Sequence, residues 1–181
     1  MILVRFMGGL GNQMFQYAYA KSVSLDKGVP LKMDTTLLGE ADVEDLVVRY
    51  FDLDVFGIQE KEILATKKEI ERFNGKRTPA IFDRIFFKIK SLLSKDEVII
   101  QKENKILNEY LNPSGENICL VGRWQSEAVF EQNREEIKKG FSFDDFKPNQ
   151  FSLDMSKKIS ASNSVSIQVR RGNYVTHPIY S

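Results

Sequence analysis

The sequence predicts an α/β fold with a Rossmann-like parallel sheet, and three observations predict it. A strand, a glycine-rich turn, a helix and a second strand follow one another within residues 1–34, which is a βαβ unit. An apolar run at 118–124, followed by a helical pattern, repeats the alternation of strand and helix. An alternating β-branched segment at 165–169 predicts a further strand near the end of the chain.

The opening βαβ unit has a clear pattern at each boundary. Residues 1–7 predict a short buried strand, and the turn Gly8-Gly-Leu-Gly11 follows it. From Met14 to about Lys27, apolar residues recur at helical spacing. Gly28 then predicts a helix C-cap, and the second strand follows it at 29–34.

The elements of the middle follow from periodicity and from loop composition. The predicted elements, in order, are a charged helix at 60–74, an amphipathic helix at 82–93, a strand at 97–101, a loop at 112–117, a buried strand at 118–124, a helix at 126–139 and a polar linker at 142–163.

Composition limits the classes of function. The chain has 181 residues, enough for one domain with a core or slightly more, and a net charge of +1, which argues against nucleic-acid binding through a global basic field. Cys119 lies in an apolar run and predicts a small buried hydrophobe, while His177 alone cannot form a metal cluster. We identify no signal peptide and no apolar stretch approaching the roughly 18 residues of a membrane span, so we expect a cytoplasmic protein.

The glycine-rich turn predicts a ligand site at a helix N-terminus. Glycines such as Gly9 and Gly11 allow close backbone approach, and free N–H groups there attract anions. Asn12 and Gln13 add two amides that both donate and accept hydrogen bonds. A tight turn without a ligand is the structural alternative. A nicotinamide dinucleotide site is a weaker one, because Met14 stands where that fingerprint needs a small residue, although Asp34 lies near the position of a ribose-binding acid.

Two adjacent arginines end the last predicted strand. Arg170 and Arg171 precede the turn residues Gly172 and Asn173, so they lie at the carboxyl end of a strand, where α/β sheets bind ligands. Guanidinium groups are planar forks that suit phosphate oxygens, and the pair predicts a diphosphate clamp. A surface ion pair is the alternative for an isolated Arg-Arg.

Two further patterns favour structural interpretations. Asp52 and Asp54 resemble a metal-binding acid pair but lie between apolar anchors, which favours a turn. The helix at 82–93 is flanked by lysines and arginines, so it could contact an anionic membrane surface, and docking on the protein's own core is the favoured interpretation.

Four segments together resemble the α1,2-fucosyltransferase family of glycosyltransferases. They are Gly8-Gly-Leu-Gly-Asn-Gln-Met-Phe-Gln-Tyr-Ala18, Arg49-Tyr-Phe-Asp-Leu-Asp-Val-Phe56, Val121-Gly-Arg-Trp-Gln-Ser-Glu127 and Ser166-Ile-Gln-Val-Arg-Arg-Gly-Asn-Tyr-Val175. The last resembles a motif SIHVRRGDYV, from which it departs at Gln168 and Asn173. Arg123 replaces an aromatic residue in the third segment.

The resemblance implies the amino-terminal part of a GT-B-like, two-domain glycosyltransferase. Residues 1–155 would form the Rossmann-like acceptor-side domain, and 156–181 would begin the GDP-fucose-binding domain. Family members continue for about another hundred residues, so the chain looks like an amino-terminal fragment, which we expect to be inactive alone. The rival interpretation is a non-catalytic binding or scaffold fragment.

The implied reaction is inverting transfer of L-fucose from GDP-fucose to the 2-hydroxyl of a galactoside in bacterial-type glycan biosynthesis. The resemblance implies no metal and no cofactor, with GDP-fucose and a galactose-terminated glycan as partners and possible peripheral contact with the inner face of the membrane. The implied catalytic residues are Arg170, Arg171 and Asn173, and the implied donor-binding residues are Gly9, Gly11, Asn12, Gln13, Gln168, Arg170, Gly172 and Tyr174.

Overall fold

A four-stranded parallel sheet forms the centre of the molecule. A computed structural model describes residues 1–39, 48–58, 64–74, 96–101, 113–143 and 147–169. The strands are β1 (Ile2–Arg5), β2 (Leu31–Asp34), β3 (Asp96–Ile100) and β4 (Asn117–Val121). Their order is β2-β1-β4-β3, and every neighbouring pair is parallel. The predicted α/β class with a parallel sheet is confirmed.

The first crossover is the predicted βαβ unit. Helix α1 (Leu10–Lys27) joins β1 to β2 and starts four residues earlier than its apolar stripe, directly after the glycines. It ends at Gly28, which adopts the left-handed conformation with φ 62°. The N–H of Gly28 donates to the carbonyl of Leu25, and that of Val29 to the carbonyl of Ser24, which closes the helix as predicted.

Apolar side chains cover both faces of the sheet, because successive strand residues point to opposite sides. Ile2 and Val4 of β1 face α1 and pack in one cluster with Tyr19 and Trp124. Leu3 faces the other way and packs with Cys119, which is buried as predicted, and with residues of helix α2 (Lys67–Asn74). A sheet buried on both faces is typical of Rossmann-like domains.

Helix α2 is shorter than the predicted helix at 60–74. Leu64 forms an isolated parallel bridge with Met33, and the N–H of Ala65 donates to the carbonyl of Met33 at 2.8 Å. These bonds hold the chain extended beside β2, so the helix cannot start before Thr66. Thr66 and Glu69 then form a capping box in which each side chain bonds the backbone N–H of the other.

The segment after β4 also differs from its prediction. The strand ends at Val121, and the predicted helix at 126–139 is broken into two 3₁₀ turns, Glu127–Val129 and Glu131–Asn133, before helix α3 (Arg134–Gly140). Phe130 lies between the two turns with φ −138°, outside helical values, and its ring packs against Phe15 of α1. Packing of this aromatic on α1 therefore takes the place of a continuous helix.

The polar linker predicted at 142–163 contains a helix, α4 (Gln150–Ser160), so the prediction is wrong there. Asn149 caps it by accepting a hydrogen bond from the N–H of Ser152 at 2.9 Å, a local signal that overall polarity hid. The domain boundary proposed between 155 and 156 falls inside this helix.

The strand predicted at 165–169 is not formed. No described strand pairs with this segment, and Val165, Ile167 and Val169 are 89%, 85% and 74% exposed. The helix predicted at 82–93 lies outside the described residues. No helix among those described is both long enough and apolar enough to cross a membrane.

Candidate functional site

The glycine-rich turn lies where β1 ends and α1 begins, at the carboxyl edge of the sheet. Gly8 has φ 75°, a conformation that side chains rarely adopt, and a Cβ there would collide with the amide nitrogen of Asn12. Gly9 precedes the helix, and no side chain caps it. At Gly11 an added Cβ would meet nothing within 4 Å. The fold therefore requires glycine at position 8, and at Gly11 it leaves open space.

Gln13 and Gln16 fasten this turn to α1. Both side chains are fully buried. Gln13 Nε2 donates to the carbonyls of Gly8 (3.0 Å) and Tyr50 (2.7 Å), and its Oε1 accepts from the N–H of Asp52 at 2.9 Å. Gln16 exchanges two bonds of 3.1 Å with the backbone N–H and C=O of Met7. The amide that we predicted to bind the donor, Gln13, thus holds two loops together.

The bond to Tyr50 brings Arg49 to the same edge. The Arg49 guanidinium lies beside Gly9, with Nη1 3.6 Å from the position that a Cβ on Gly9 would occupy. The first turn of α1 contains no acidic residue. A guanidinium and the positive end of a helix dipole thus face the same backbone. The sequence predicts no role for Arg49, although a motif-like segment begins with it, and the contacts of Gln13 reveal its place.

Asp34, the acid on which the nicotinamide alternative depended, has a structural role. Its carboxylate is fully buried, and Oδ2 lies 2.6 Å from Arg5 Nε on the neighbouring strand. Oδ1 accepts hydrogen bonds from the backbone N–H (3.0 Å) and the hydroxyl (2.6 Å) of Thr36. A carboxylate held in this way cannot bind a ribose, which speaks against a nicotinamide dinucleotide site.

The loop after β4 approaches the glycine-rich turn from the neighbouring strand. Gln101 Oε1 accepts from the N–H groups of Arg123 and Trp124 at 2.7 and 2.8 Å. A Cβ on Gly122 would lie 2.9 Å from that same oxygen, so this position also requires glycine. Trp124 is buried against Tyr19, with ring centroids 4.6 Å apart, and has φ 52°.

This loop contacts the glycine-rich turn through one side-chain pair. Gln125 Nε2 donates to Asn12 Oδ1 at 2.7 Å, which joins the loops that follow β1 and β4. The sequence predicts Asn12 as a site residue, whereas Gln125 belongs to a motif-like segment and has no predicted role. The signal for Gln125 is its position just beyond the end of a central strand.

The predicted arginine clamp, Arg170 and Arg171, lies outside the described residues, together with Gly172, Asn173 and Tyr174. Gln168 is described and exposed. A 3₁₀ turn spans Leu53–Phe56, as the turn interpretation expects. Asp52 precedes this turn and Asp54 lies within it. Within the described ranges, no group of three or more His, Cys, Asp or Glu side chains is placed to hold a metal ion.

Two curated relatives from Escherichia coli match nearly the whole chain. One, named alpha-1,2-colitosyltransferase, is 31% identical over 186 residues, covering 97% of this chain and 56% of the relative. The other, named O-antigen biosynthesis glycosyltransferase WbnK, is 28% identical over 180 residues, covering 94% of this chain and 59% of the relative. The chain therefore spans just over half the length of these relatives.

Both relatives are glycosyltransferases, which supports the sequence-based assignment at that level, and neither is named a fucosyltransferase. No family model matches the chain. No solved structure matches it either.

Proposed function

We propose that the complete gene product is an inverting glycosyltransferase that transfers L-fucose from GDP-β-L-fucose to the 2-hydroxyl of a galactoside. One observation carries this proposal: 97% of the chain aligns with an alpha-1,2-colitosyltransferase. The four motif-like segments and the glycine-rich turn at the carboxyl edge of the sheet support it. The name of the O-antigen relative favours a surface-polysaccharide unit as the acceptor, and the motif resemblance adds that this unit ends in galactose.

The chemistry requires a cationic partner for the leaving diphosphate. Negative charge develops on GDP as the sugar departs, and we assign its stabilisation to Arg170, with support from Arg171. One preorganised contact of this kind contributes on the order of 3 kcal/mol in the transition state. Arg49, beside Gly9 at the positive end of α1, supports an anionic or electron-rich group at this edge as well.

Within this proposal, Gln13 is a positioning residue. Its amide bonds to Gly8, Tyr50 and Asp52 hold the glycine-rich turn against the segment that carries Arg49. Donor contacts on this side of the cleft are then left to the backbone of Gly9 and Gly11 and to Asn12. Gln168, Gly172 and Tyr174 belong to the facing side in the motif resemblance.

A second donor is favoured by the name of one relative. Colitose lacks the 3-hydroxyl of L-fucose, so a transferase for one needs only a small change of pocket to use the other. The 31% identity to a colitosyltransferase therefore makes nucleotide-activated colitose the alternative donor. A site with a polar group that bonds the 3-hydroxyl of fucose discriminates strongly against colitose, which leaves that group unpaired. An apolar pocket shaped for colitose discriminates only weakly against fucose.

The remaining proposals concern conditions and location. We propose catalysis without a metal or cofactor, in the cytoplasm, with contact to the inner face of the membrane where the acceptor is made. Full transfer activity in excess EDTA is expected. Restoration of a lost activity by magnesium or manganese would contradict metal independence.

The test is steady-state transfer by the complete gene product to a β-galactoside, with GDP-fucose and activated colitose as competing donors. Arg170→Lys keeps the charge and loses the planar fork, so we expect kcat to fall at least tenfold and GDP affinity to fall in calorimetry. Arg134→Lys, at a half-exposed surface pair with Glu127, is the matched control and should behave as the wild type. Asn173→Asp should raise kcat about tenfold or more if an acid there assists proton transfer.

Absence of transfer from either donor would contradict the proposed function. Preference for activated colitose would replace the donor and keep the reaction class. Equal GDP binding by Arg170→Lys and the wild type would remove the clamp assignment and leave the transferase assignment standing.

A further inference from the structure

We infer that Asn12 and Gln125 together form a binding site for sugar hydroxyls at the carboxyl edge of the sheet, an inference that rests on the proposed function for its class of ligand. Gln125 Nε2 donates to Asn12 Oδ1 at 2.7 Å. The two residues follow β1 and β4, which are neighbours in the sheet. Ligands of open α/β sheets bind beyond the carboxyl ends of the strands.

The hydrogen-bonding groups of this pair suit a sugar. Their mutual bond uses one N–H and one carbonyl, and neither side chain makes another hydrogen bond within the part of the chain that the structure describes. Asn12 Nδ2 is left as a donor and Gln125 Oε1 as an acceptor. A hydroxyl both donates and accepts, so neighbouring hydroxyls of one sugar ring can satisfy both groups.

The backbone at Trp124 supports a binding role. Trp124 has φ 52°, in the left-handed region that disfavours residues with a Cβ. The N–H of Trp124 donates to Gln101 Oε1, as does that of Arg123, and burial of the indole also holds Trp124 there, so that Gln125 reaches Asn12. Burial of the indole against Tyr19 offsets the cost of this conformation, and the exposed amide bond adds little to that balance. Strain of this kind concentrates at binding sites.

The other half of the pair is also fixed by its loop. Asn12 lies over Gly8, so closely that a Cβ on Gly8 would collide with its amide nitrogen. Gly8 itself has φ 75°. The mutual bond of the two amides orients them before a ligand arrives, which lowers the entropy that binding must overcome.

The sharpest variant is Asn12→Asp in the complete gene product. An aspartate still accepts the bond from Gln125 Nε2, so the contact between the loops stays, but the Nδ2 donor is lost. An acid in the first turn of α1 also favours the helix dipole, so the melting temperature should not fall. For the uncharged probe lactose, a merely structural pair would tolerate this change, whereas a sugar site would not. For GDP-fucose the added charge also repels the diphosphate, so the neutral variant Gln125→Ala decides there.

Binding is measured by ligand-observed saturation-transfer NMR with lactose and GDP-fucose as separate probes. We expect Asn12→Asp and Gln125→Ala each to weaken binding of one probe about tenfold, the loss of one or two hydrogen bonds to a neutral group. Gln150→Ala is the matched control, because this exposed glutamine bonds only Asp154 at 3.0 Å among the described residues. A loss for lactose assigns the pair to the acceptor, and a loss for GDP-fucose to the donor.

Affinities equal to the wild type for both probes in both variants would overturn the inference, as would a wild type that binds neither probe. Because the NMR experiment measures binding in the absence of sugar transfer, the sugar site and the proposed function can each be contradicted without the other. A protein that binds sugar through this pair without transferring it contradicts only the proposed function. A transferase whose Asn12→Asp variant keeps wild-type KM values contradicts only the sugar site.

Discussion

Helices α1 and α4 both carry recognisable end signals, but only α1 is packed into a core. α1 places nine residues in the interior, against β1, β2 and the loop after β4. No residue of α4 is buried, and every residue from 147 to 169 is exposed. Isolated helices shorter than about 12–15 residues are marginal in water. In this structure, α4 therefore depends on the Asn149 cap and on local side-chain bonds.

The same residue type consequently has different roles in the two regions. Gln13 in α1 is fully buried and bonds three backbone groups, whereas Gln150 in α4 is exposed and bonds one carboxylate. Asp34 is buried in an ion pair, whereas Asp154 accepts a surface bond from Gln150. Paired substitutions in α4 thus provide matched controls for substitutions near α1.

The largest difference is expected for the aspartates. Asp34→Asn removes the buried carboxylate that pairs with the buried Arg5, and breaking such a pair costs about 3–5 kcal/mol. Asp154→Asn should change the free energy of unfolding by less than about 0.5 kcal/mol. Urea unfolding of the chain, followed by fluorescence of its single tryptophan, Trp124, measures both. Equal effects would show that burial does not distinguish the two regions.

The glutamines should give the next largest difference. Gln13→Ala leaves the carbonyls of Gly8 and Tyr50 and the N–H of Asp52 without their partner, which we expect to cost about 3 kcal/mol in total. Gln150→Ala should cost almost nothing. The same urea titration compares them, and a Gln13→Ala cost below about 1 kcal/mol would mean that water replaces the amide.

Helix α2 is an intermediate case, because it has both a local cap and packed residues. The backbone N–H and the hydroxyl of Thr66 donate to Glu69 and lower the pKa of that carboxyl below its usual 4.5. Its folded pKa lies below its unfolded pKa, so this stabilisation is complete above about pH 4.5 and is lost as pH falls through the folded value. Glu69→Gln should cost about 0.3–1 kcal/mol at neutral pH and less in acid. Unfolding curves of the wild type and Glu69→Gln at several pH values test this. A stability difference that does not depend on pH would show that the charge of the carboxylate is not its source.

The smallest effect on global stability is expected in α4 itself. Phe151, Met155 and Ile159 are spaced four residues apart and lie on one exposed face. Ile159→Ser removes no packed side chain, so urea unfolding should change by less than about 0.5 kcal/mol. Hydrogen exchange should show α4 amides exchanging well before those of α1. Protection of α4 as strong as that of α1 would show that this face is covered.

The sequence predicted best those elements whose signals are local and repeated. Periodicity and Gly28 located α1 and its C-cap, and alternating strands and helices gave the parallel sheet. The break at Phe130 escaped prediction because it depends on contact with Phe15, which only the fold brings near. The prediction of a strand at 165–169 is wrong for a related reason. Alternating residues match the pattern of a strand, but a strand forms only where a neighbouring strand supplies hydrogen bonds.

Within the candidate site, the sequence located the residues but not all of their contacts. Asn12 and the glycines lie at the carboxyl edge of the sheet, as expected of a strand-turn-helix unit. The backbone bonds of Gln13, the place of Arg49 and the pairing of Gln125 depend on loops far apart in sequence. The arginine clamp at 170–171 lies outside the described residues and stays a prediction.

The pairing of β1 with β4 has a consequence for synthesis of the protein. Ile2 pairs with Ile118 and Arg5 with Val121, so the two central strands are separated by most of the chain. At roughly 5–20 residues per second, a ribosome delivers β4 on the order of ten seconds after β1. Released chains truncated before β4 and after it should therefore differ in protease resistance. Until β4 is made, the buried strand Ile2–Arg5 lacks its central neighbour. This strand is therefore the segment of the nascent chain that we expect to be most prone to aggregation.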